Sequence, residues 1–82
     1  MSGSAIREAI LAAAASHGAE KSLCPSEVAR ALTPEDWRPL TARVRREAMA
    51  LAREGRIEVL RKGRPVDPAA EIRGVIRLRI RP

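Results

Sequence analysis

The side-chain pattern changes at Gly55 from a helical period to a strand period, and this change restricts the folds available to the chain. Before Gly55, four apolar residues recur at steps of four, four and three along one helical face: Leu40, Val44, Ala48 and Leu51. After Gly55, segment 75–81 alternates apolar residues with arginines, as a strand with one buried face does. Helices followed by a small antiparallel sheet predict an α+β fold.

Start and stop signals predict two helices in the first half of the chain. The first spans about 4–17, with Ser4 as its N-cap and Gly18 as its stop. The second spans about 25–32 and begins with a proline at the first helical position, where no backbone N–H is needed. Residues 22–23, just before it, are predicted to form a strand of one or two residues.

A third helix is predicted from about 39 to 54, after a single turn at 34–37. Pro39 makes one uninterrupted helix through the whole stretch unfavourable, because proline disfavours a helical residue before it. The face opposite the apolar stripe carries the side chains predicted to point into solvent, and it is rich in arginine. These arginines are Arg38, Arg45, Arg46 and Arg53.

Two strands are predicted after this helix, at about 56–61 and 75–81. Paired antiparallel with their apolar residues toward the helices, they place Glu58 opposite Arg79 as a cross-strand ion pair. The intervening segment 62–74 is too long for a tight turn and contains glycine and proline, so it is predicted to be a structured loop, or wing. Three helices followed by a two-stranded β-hairpin is the order of a winged helix-turn-helix.

The length of 82 residues suits one small domain, so residues 1–82 are predicted to be a single winged-helix domain. One cysteine excludes an internal disulfide and suits a reducing compartment. No stretch reaches the ~18–20 continuous apolar residues that a membrane span requires. These features predict a cytoplasmic protein without a membrane segment.

Charge is segregated along the chain, whose net charge is +6. Residues 1–37 hold three basic and five acidic residues, whereas residues 38–82 hold thirteen and five. A basic half of this kind favours a polyanionic partner. The alternative is a solvated face whose arginines keep a small protein soluble. A GC-rich genome would explain the fourteen arginines against two lysines, but not their segregation.

Duplex DNA is the predicted partner, and a role in transcriptional regulation is possible. The third helix would enter the major groove, and the wing would contact the DNA backbone. Arginine contacts guanine through paired donors or grips phosphate. The predicted DNA-binding residues are Arg38, Thr41, Arg45, Arg46, Arg53, Lys62 and Arg64. The alternative function is a protein–protein interaction module that forms a homodimer or binds an acidic protein, and Met49, Ala42 and Leu60, expected to be exposed, favour it.

Other functional classes have little support in the sequence. Trp37, the one aromatic residue, is predicted to anchor the core, so no surface of several stacking rings is expected. Cys24 and His17 are predicted to be structural, because no carboxylates stand at metal-ligand spacing. No nucleophile–base pair or phosphate-binding glycine loop is visible, so no enzyme activity, cofactor or metal is predicted. The last strand is expected to present a solvated row of Arg77, Arg79 and Arg81.

Segments 21–29, 37–45, 64–68 and 74–79 together carry a recognisable pattern, and its most specific part is Val-Asp-Pro followed by Gly-x-Ile-Arg-Leu-Arg. Over residues 5–80 the chain resembles a small bacterial winged-helix family that is catalogued only as a domain of unknown function. The resemblance implies the winged-helix fold. It implies no established activity, substrate or binding residues, and DNA binding in that family is itself an inference from the fold.

Overall fold

A computed structural model describes residues 2–70 and 72–81, which form three helices and a three-stranded antiparallel sheet. The predicted α+β class is confirmed. The elements are α1 (Gly3–His17), α2 (Pro25–Leu32), α3 (Trp37–Arg53), β1 (Ile57–Arg61), β2 (Arg64–Pro65) and β3 (Arg77–Ile80).

Helix α1 begins before the predicted N-cap. Ser2 is the N-cap, and its hydroxyl accepts a hydrogen bond from the backbone N–H of Ala5 at 3.2 Å, so Ser4 lies inside the helix. The helix ends at Gly18, whose φ of +82° suits glycine. Helix α2 has the predicted bounds, and the Glu27 carboxylate accepts a hydrogen bond from the backbone N–H of Cys24 at 2.9 Å.

Helix α3 is one continuous helix from Trp37, so the predicted start at residue 39 was wrong. Pro39 falls in the first turn, where backbone N–H groups have no acceptor inside the helix. Its ring faces the carbonyl of a residue that precedes the helix, so the usual clash does not arise. The two additional residues, about half a turn, bring Trp37 and Arg38 into the helix and fix their direction.

The sheet has the strand order β2-β1-β3, with one strand more than the predicted two. Strands β1 and β2 form a tight hairpin through Lys62 and Gly63, whose φ values of +54° and +80° match a two-residue turn of the I′ kind. The segment predicted to be one loop therefore starts with a hairpin. Strand β2 has only two residues, and Pro65 lies opposite Leu60 in a non-hydrogen-bonded pair, where its missing N–H is not needed. One further hydrogen bond, from the N–H of Val66 to the carbonyl of Val59 at 3.0 Å, extends the contact with β1.

Strand β3 pairs with the other edge of β1 and confirms the predicted register. Glu58 lies opposite Arg79, and an ion pair of 2.7 Å joins Glu58 Oε1 to Arg79 Nη2. The predicted short strand before α2 is an isolated bridge, in which Leu23 and Leu78 exchange backbone hydrogen bonds of 2.9 and 2.7 Å. Leu78 therefore lies between two neighbours, bonded to Leu23 on one side and opposite Val59 in a non-hydrogen-bonded pair on the other.

One apolar core lies between the inner face of the sheet and the three helices. Burial of these side chains supplies most of the stabilising free energy, because apolar area removed from water contributes roughly 25 cal/mol per Å². Val66 and Ile72, from the connection between β2 and β3, pack against its edge. The largest fully buried side chains are Ile6, Ile10, Leu23, Leu51, Ile57, Ile76 and Leu78.

Arg7 links α1 to the C-terminal end of α3. Its Nη2 donates to both carboxylate oxygens of Glu54 at 2.6 Å, and its Nη1 lies 3.9 Å from Glu47 Oε1. The hydrogen bond from Arg7 lowers the pKa of Glu54 below its ordinary value of 4.5. In return, the Glu54 carboxylate raises the pKa of Arg7. The pair favours the ionised carboxylate in the folded state.

We expect this pair to make stability depend on acid pH. Since the pKa of Glu54 is lower in the folded chain than in the unfolded chain, its contribution is present above 4.5 and is lost as the pH falls through the lower folded-state value. Urea unfolding at neutral pH should show Glu54→Gln to be less stable than the parent. Below the folded-state pKa the two should converge. Glu8→Gln, on the exposed side of α1, is the control, and a gap that persists in acid would contradict the expectation.

Candidate nucleic-acid interface

The N-terminal half of α3 presents a basic face to solvent. Leu40 and Val44 are buried, whereas Arg38, Ala42 and Arg46, at steps of four, are exposed. Among residues 2–70 and 72–81, no carboxylate lies within ion-pair distance of Arg38 or Arg46. The positive charge of this face is therefore not neutralised by the described part of the chain.

Arg45 does not point into solvent as predicted. It is half-buried, and its two terminal nitrogens donate to the carbonyl oxygens of Ile72 and Gly74, each at 2.6 Å. Its side chain leaves α3 on the flank beside these residues, where carbonyls replace water as hydrogen-bond partners. Arg45 thus fastens the connection between β2 and β3 to α3.

Two further arginines hold the same connection, which we call the crossover segment (residues 66–70 and 72–76). Arg53 Nε donates to the carbonyl of Pro68 at 3.3 Å, and Arg61 Nη1 donates to that of Val75 at 3.1 Å. The segment is therefore held from α3 on one side and from β1 on the other. All these acceptors are neutral carbonyls, so the bonds position the arginines without cancelling their charge.

Two features of the structure favour glycine at position 74. Its φ is +86°, and a Cβ at this position would collide with the guanidinium of Arg61. An alanine would therefore strain the backbone and displace Arg61 from its hydrogen bond with Val75. The Arg61 guanidinium can approach Gly74 this closely only because glycine has no Cβ.

We expect Gly74→Ala to destabilise the protein more than Gly55→Ala. Both positions have positive φ, which costs a residue with a Cβ about 1–2 kcal/mol, but open space surrounds Gly55. The difference between the two variants should be about 0.5 kcal/mol, the low end for a hydrogen bond, because Arg61 ends in a flexible guanidinium that can move aside. Urea unfolding measures it, and limited proteolysis should cut the crossover segment of Gly74→Ala faster. Equal losses would contradict the role given to Arg61.

The hairpin turn and α3 border one continuous surface. A groove of about 310 Å³ is lined by Thr41, Arg45 and Val75, among others, and a second of about 560 Å³ by Lys62, Gly63 and Val75. Gly74 and Val75 belong to both grooves, so the surface runs from α3 to the turn.

The other predicted interface residues have unequal positions on this surface. Lys62 and Arg64 are exposed at the hairpin. Thr41 is half-buried, and its hydroxyl donates to the carbonyl of Trp37 at 3.1 Å. Arg53 is exposed but fastens the crossover segment. The structure therefore brings Arg38 and Arg46 together on one helix face, with Lys62 and Arg64 at the hairpin.

The corner between α2 and α3 contains a feature that the sequence did not predict. Trp37 packs against the core, as predicted, and two guanidinium carbons lie over its ring: Arg30 at 4.2 Å and Arg38 at 4.9 Å from the centroid. These distances are typical of cation–π contacts. Arg30 and Trp37 are on different helices, so no helical spacing relates them.

The row of arginines on β3 is not the uniformly solvated face that was expected. Arg77 donates to the hydroxyl of Ser22 at 2.7 Å, to its carbonyl at 2.9 Å and to Cys24 Sγ at 3.1 Å. Arg79 is paired with Glu58, and Arg81 is exposed. Two of the three therefore stabilise the fold.

The apolar residues expected to be exposed were only partly placed correctly. Ala42 is exposed, but Leu60 is buried and Met49 packs against the core. Met49 lies on the flank of α3 that meets the core, whereas Leu60 is buried on the face of β1 opposite to Val59 and outside the core cluster. Val75 is instead the large apolar side chain that the described residues expose, at 75% of its surface.

The described residues gather no group of three His, Cys, Asp or Glu side chains that would suit a metal ion. None of their helices has the length and apolar character needed to cross a membrane.

Comparison with known proteins assigns the chain to a family. No curated protein matches it. A family described as protein of unknown function (DUF3253) matches residues 3–81, and so covers both helix α3 and the grooves beside it. The resemblance to a domain of unknown function is thereby confirmed. Since the match extends over almost the whole sequence, the chain belongs to the DUF3253 family of proteins of unknown function.

Proposed function

We propose that this protein is a cytoplasmic winged helix-turn-helix domain that binds duplex DNA and serves in transcriptional regulation. Helices α2 and α3 are the helix-turn-helix pair, and β1, β3 and the Leu23 bridge close the core behind them. In such domains the second helix of the pair enters the major groove with its N-terminal residues. Helix α3 takes that position.

The observation that carries the proposal is the free basic face of α3 beside a basic hairpin. Arg38 and Arg46 project from one helix face, and Lys62 and Arg64 are exposed at the hairpin. None of the four has a carboxylate within ion-pair distance among the residues described. A surface that retains its charge attracts phosphates and releases their counterions on binding.

Each part of the surface has a separate role in the proposal. Arg38 and Arg46 reach base edges or phosphates in the major groove, where paired arginine donors match guanine. Lys62 and Arg64 contact the neighbouring backbone, which positions the domain without selecting a sequence. Arg45 becomes a positioning residue, because it holds the crossover segment, and with it the hairpin, beside α3.

The test is the salt dependence of binding to a fluorescently labelled duplex of random sequence. If four cations neutralise phosphates, the slope of log affinity against log salt should be about −3 to −4. Fluorescence anisotropy at several salt concentrations measures it. An affinity that does not change with salt, or no binding at low salt, would overturn the proposal.

A protein-interaction module is the second candidate, and the exposure of Val75 is the observation that favours it. This side chain lies between the two grooves, with Arg45 and Arg61 nearby, so an acidic partner with an apolar anchor would fit. Size-exclusion chromatography with and without duplex separates the candidates. A dimer without affinity for duplex would support the interaction module.

A further inference from the structure

Arg38 of the proposed interface belongs to a cluster with Arg30 and Trp37, two residues to which the interface has so far given no role. The two guanidinium carbons lie 4.2 and 4.9 Å from the centroid of the same indole ring, and so no more than 9.1 Å from each other. The ring packs against the core, which makes it a fixed platform. The two arginines come from different helices, α2 and α3, and the platform keeps them together.

Stacking leaves the hydrogen-bonding capacity of both arginines available. A guanidinium contacts an aromatic ring through its flat face, whereas its N–H donors lie in the plane and point outward. Arg30 and Arg38 are both exposed, and in the described part of the chain neither has a carboxylate within ion-pair distance. Neither guanidinium donates a hydrogen bond within the described part of the chain, so its donors are available to a ligand.

The contact with the ring also restricts the rotamers of the two side chains before any ligand arrives. Less conformational entropy is then lost on binding, which favours an anion of matching geometry. A phosphate group fits, because its oxygens accept paired N–H donors from arginine. Glu35 and Asp36 are exposed in the preceding turn, and their negative charge opposes anion binding, so both arginines are needed to hold a phosphate.

We propose that Arg30, Trp37 and Arg38 form a phosphate clamp that binds the backbone of duplex DNA at the start of α3. This inference rests on the proposed function, which it extends to α2. The clamp fixes the N-terminal end of α3 on the backbone, while Arg46, two turns further on, reaches into the groove. The ligand is the phosphodiester, so the clamp contributes affinity rather than sequence preference.

The test uses Trp37 as its own reporter, because the chain has no other aromatic residue. Labelled duplex is titrated while anisotropy reports total binding and tryptophan emission reports the cluster. The emission should change in step with the anisotropy. Arg30→Gln should weaken binding about three- to tenfold and make the salt slope shallower by about one.

Two variants separate the clamp from a general effect of charge. Arg30→Lys keeps the charge but loses the planar stacking group, so it should restore the salt slope without restoring the affinity. Arg56→Gln removes an exposed charge beyond the other end of α3, about 24 Å along the helix axis, and should leave tryptophan emission responsive. Circular dichroism checks that each variant is folded.

The outcomes distinguish the clamp from the proposed function. Duplex binding with unchanged emission, and with Arg30→Gln equal to the parent, overturns the clamp and leaves DNA binding by α3 intact. No duplex binding by anisotropy overturns both. An emission change with inorganic phosphate, but none with duplex, overturns the backbone clamp in favour of a site for free phosphate.

Discussion

Replacing Leu78 with alanine is expected to lower the free energy of unfolding by about 2–5 kcal/mol. The side chain is fully buried, and β3 holds it between Val59 on one side and Leu23 on the other. The two hydrogen bonds to Leu23 and the pairing of β3 with β1 hold the backbone in place, so it does not close over the cavity. The total stability of a domain of 82 residues is about 4–12 kcal/mol, so this one substitution removes a large part of it.

Urea unfolding followed by circular dichroism measures the loss. Val75→Ala is the matched control, because Val75 lies on the same stretch of chain but is exposed, and its loss should stay within about 0.5 kcal/mol. If Leu78→Ala lowers the free energy of unfolding by less than about 1 kcal/mol, the backbone around Leu78 can relax and fill the cavity, contrary to this prediction.

The second large effect concerns binding, and it follows from the proposed function. Arg38→Gln combined with Arg46→Gln removes both unneutralised charges from the exposed face of α3. An arginine that contacts a base is worth about 1–3 kcal/mol, so the double variant should bind duplex at least about 30-fold more weakly. Anisotropy with the labelled duplex measures the change. Both residues are exposed, so the fold should persist.

The control for this variant has the same net charge but a different distribution. Arg56→Gln combined with Arg81→Gln removes two exposed charges outside α3. It should retain most of the affinity, although the salt slope will fall slightly if these charges act at long range. If both double variants lose affinity equally, general attraction and not the face of α3 explains binding.

Local patterns predicted the parts of the fold that depend on local forces. The stripe of Leu40 and Val44 predicted α3, and the alternation around Leu78 predicted β3. The pairing of Glu58 with Arg79 followed once both strands were placed with their apolar faces inward. These predictions succeeded because burial of one face determines which residues can lie opposite each other.

The contacts that sequence reasoning missed have backbone carbonyls as acceptors. Arg45 bonds to carbonyls 27 and 29 residues away, and every residue has a carbonyl, so no side-chain pattern identifies the partner. The same holds for Arg61 with Val75. The hairpin at Lys62–Gly63 was missed for another reason, because β2 has only two residues and no alternation of side chains is visible in it.

Hydrogen bonds from arginines to backbone carbonyls decide how many of the basic side chains in residues 38–82 are available for a ligand. The sequence pattern placed Arg38, Arg45, Arg46 and Arg53 on one solvent face. The structure instead shows that Arg45 and Arg53 hold the crossover segment, whereas Arg38 and Arg46 are exposed without a carboxylate partner among the described residues. Arg30 entered the candidate site only through its position over Trp37, which required the packing of two helices.

The bridge between Leu23 and Leu78 also has a consequence for biosynthesis. The two residues are far apart in sequence, and β3 lies between this bridge and β1, so the sheet is incomplete until residues 77–80 have left the ribosome. Until then the nascent chain exposes Leu23, Val59 and the inner faces of its helices. We therefore expect the core to close in one cooperative step, and only once β3 is available to pair with both Leu23 and β1.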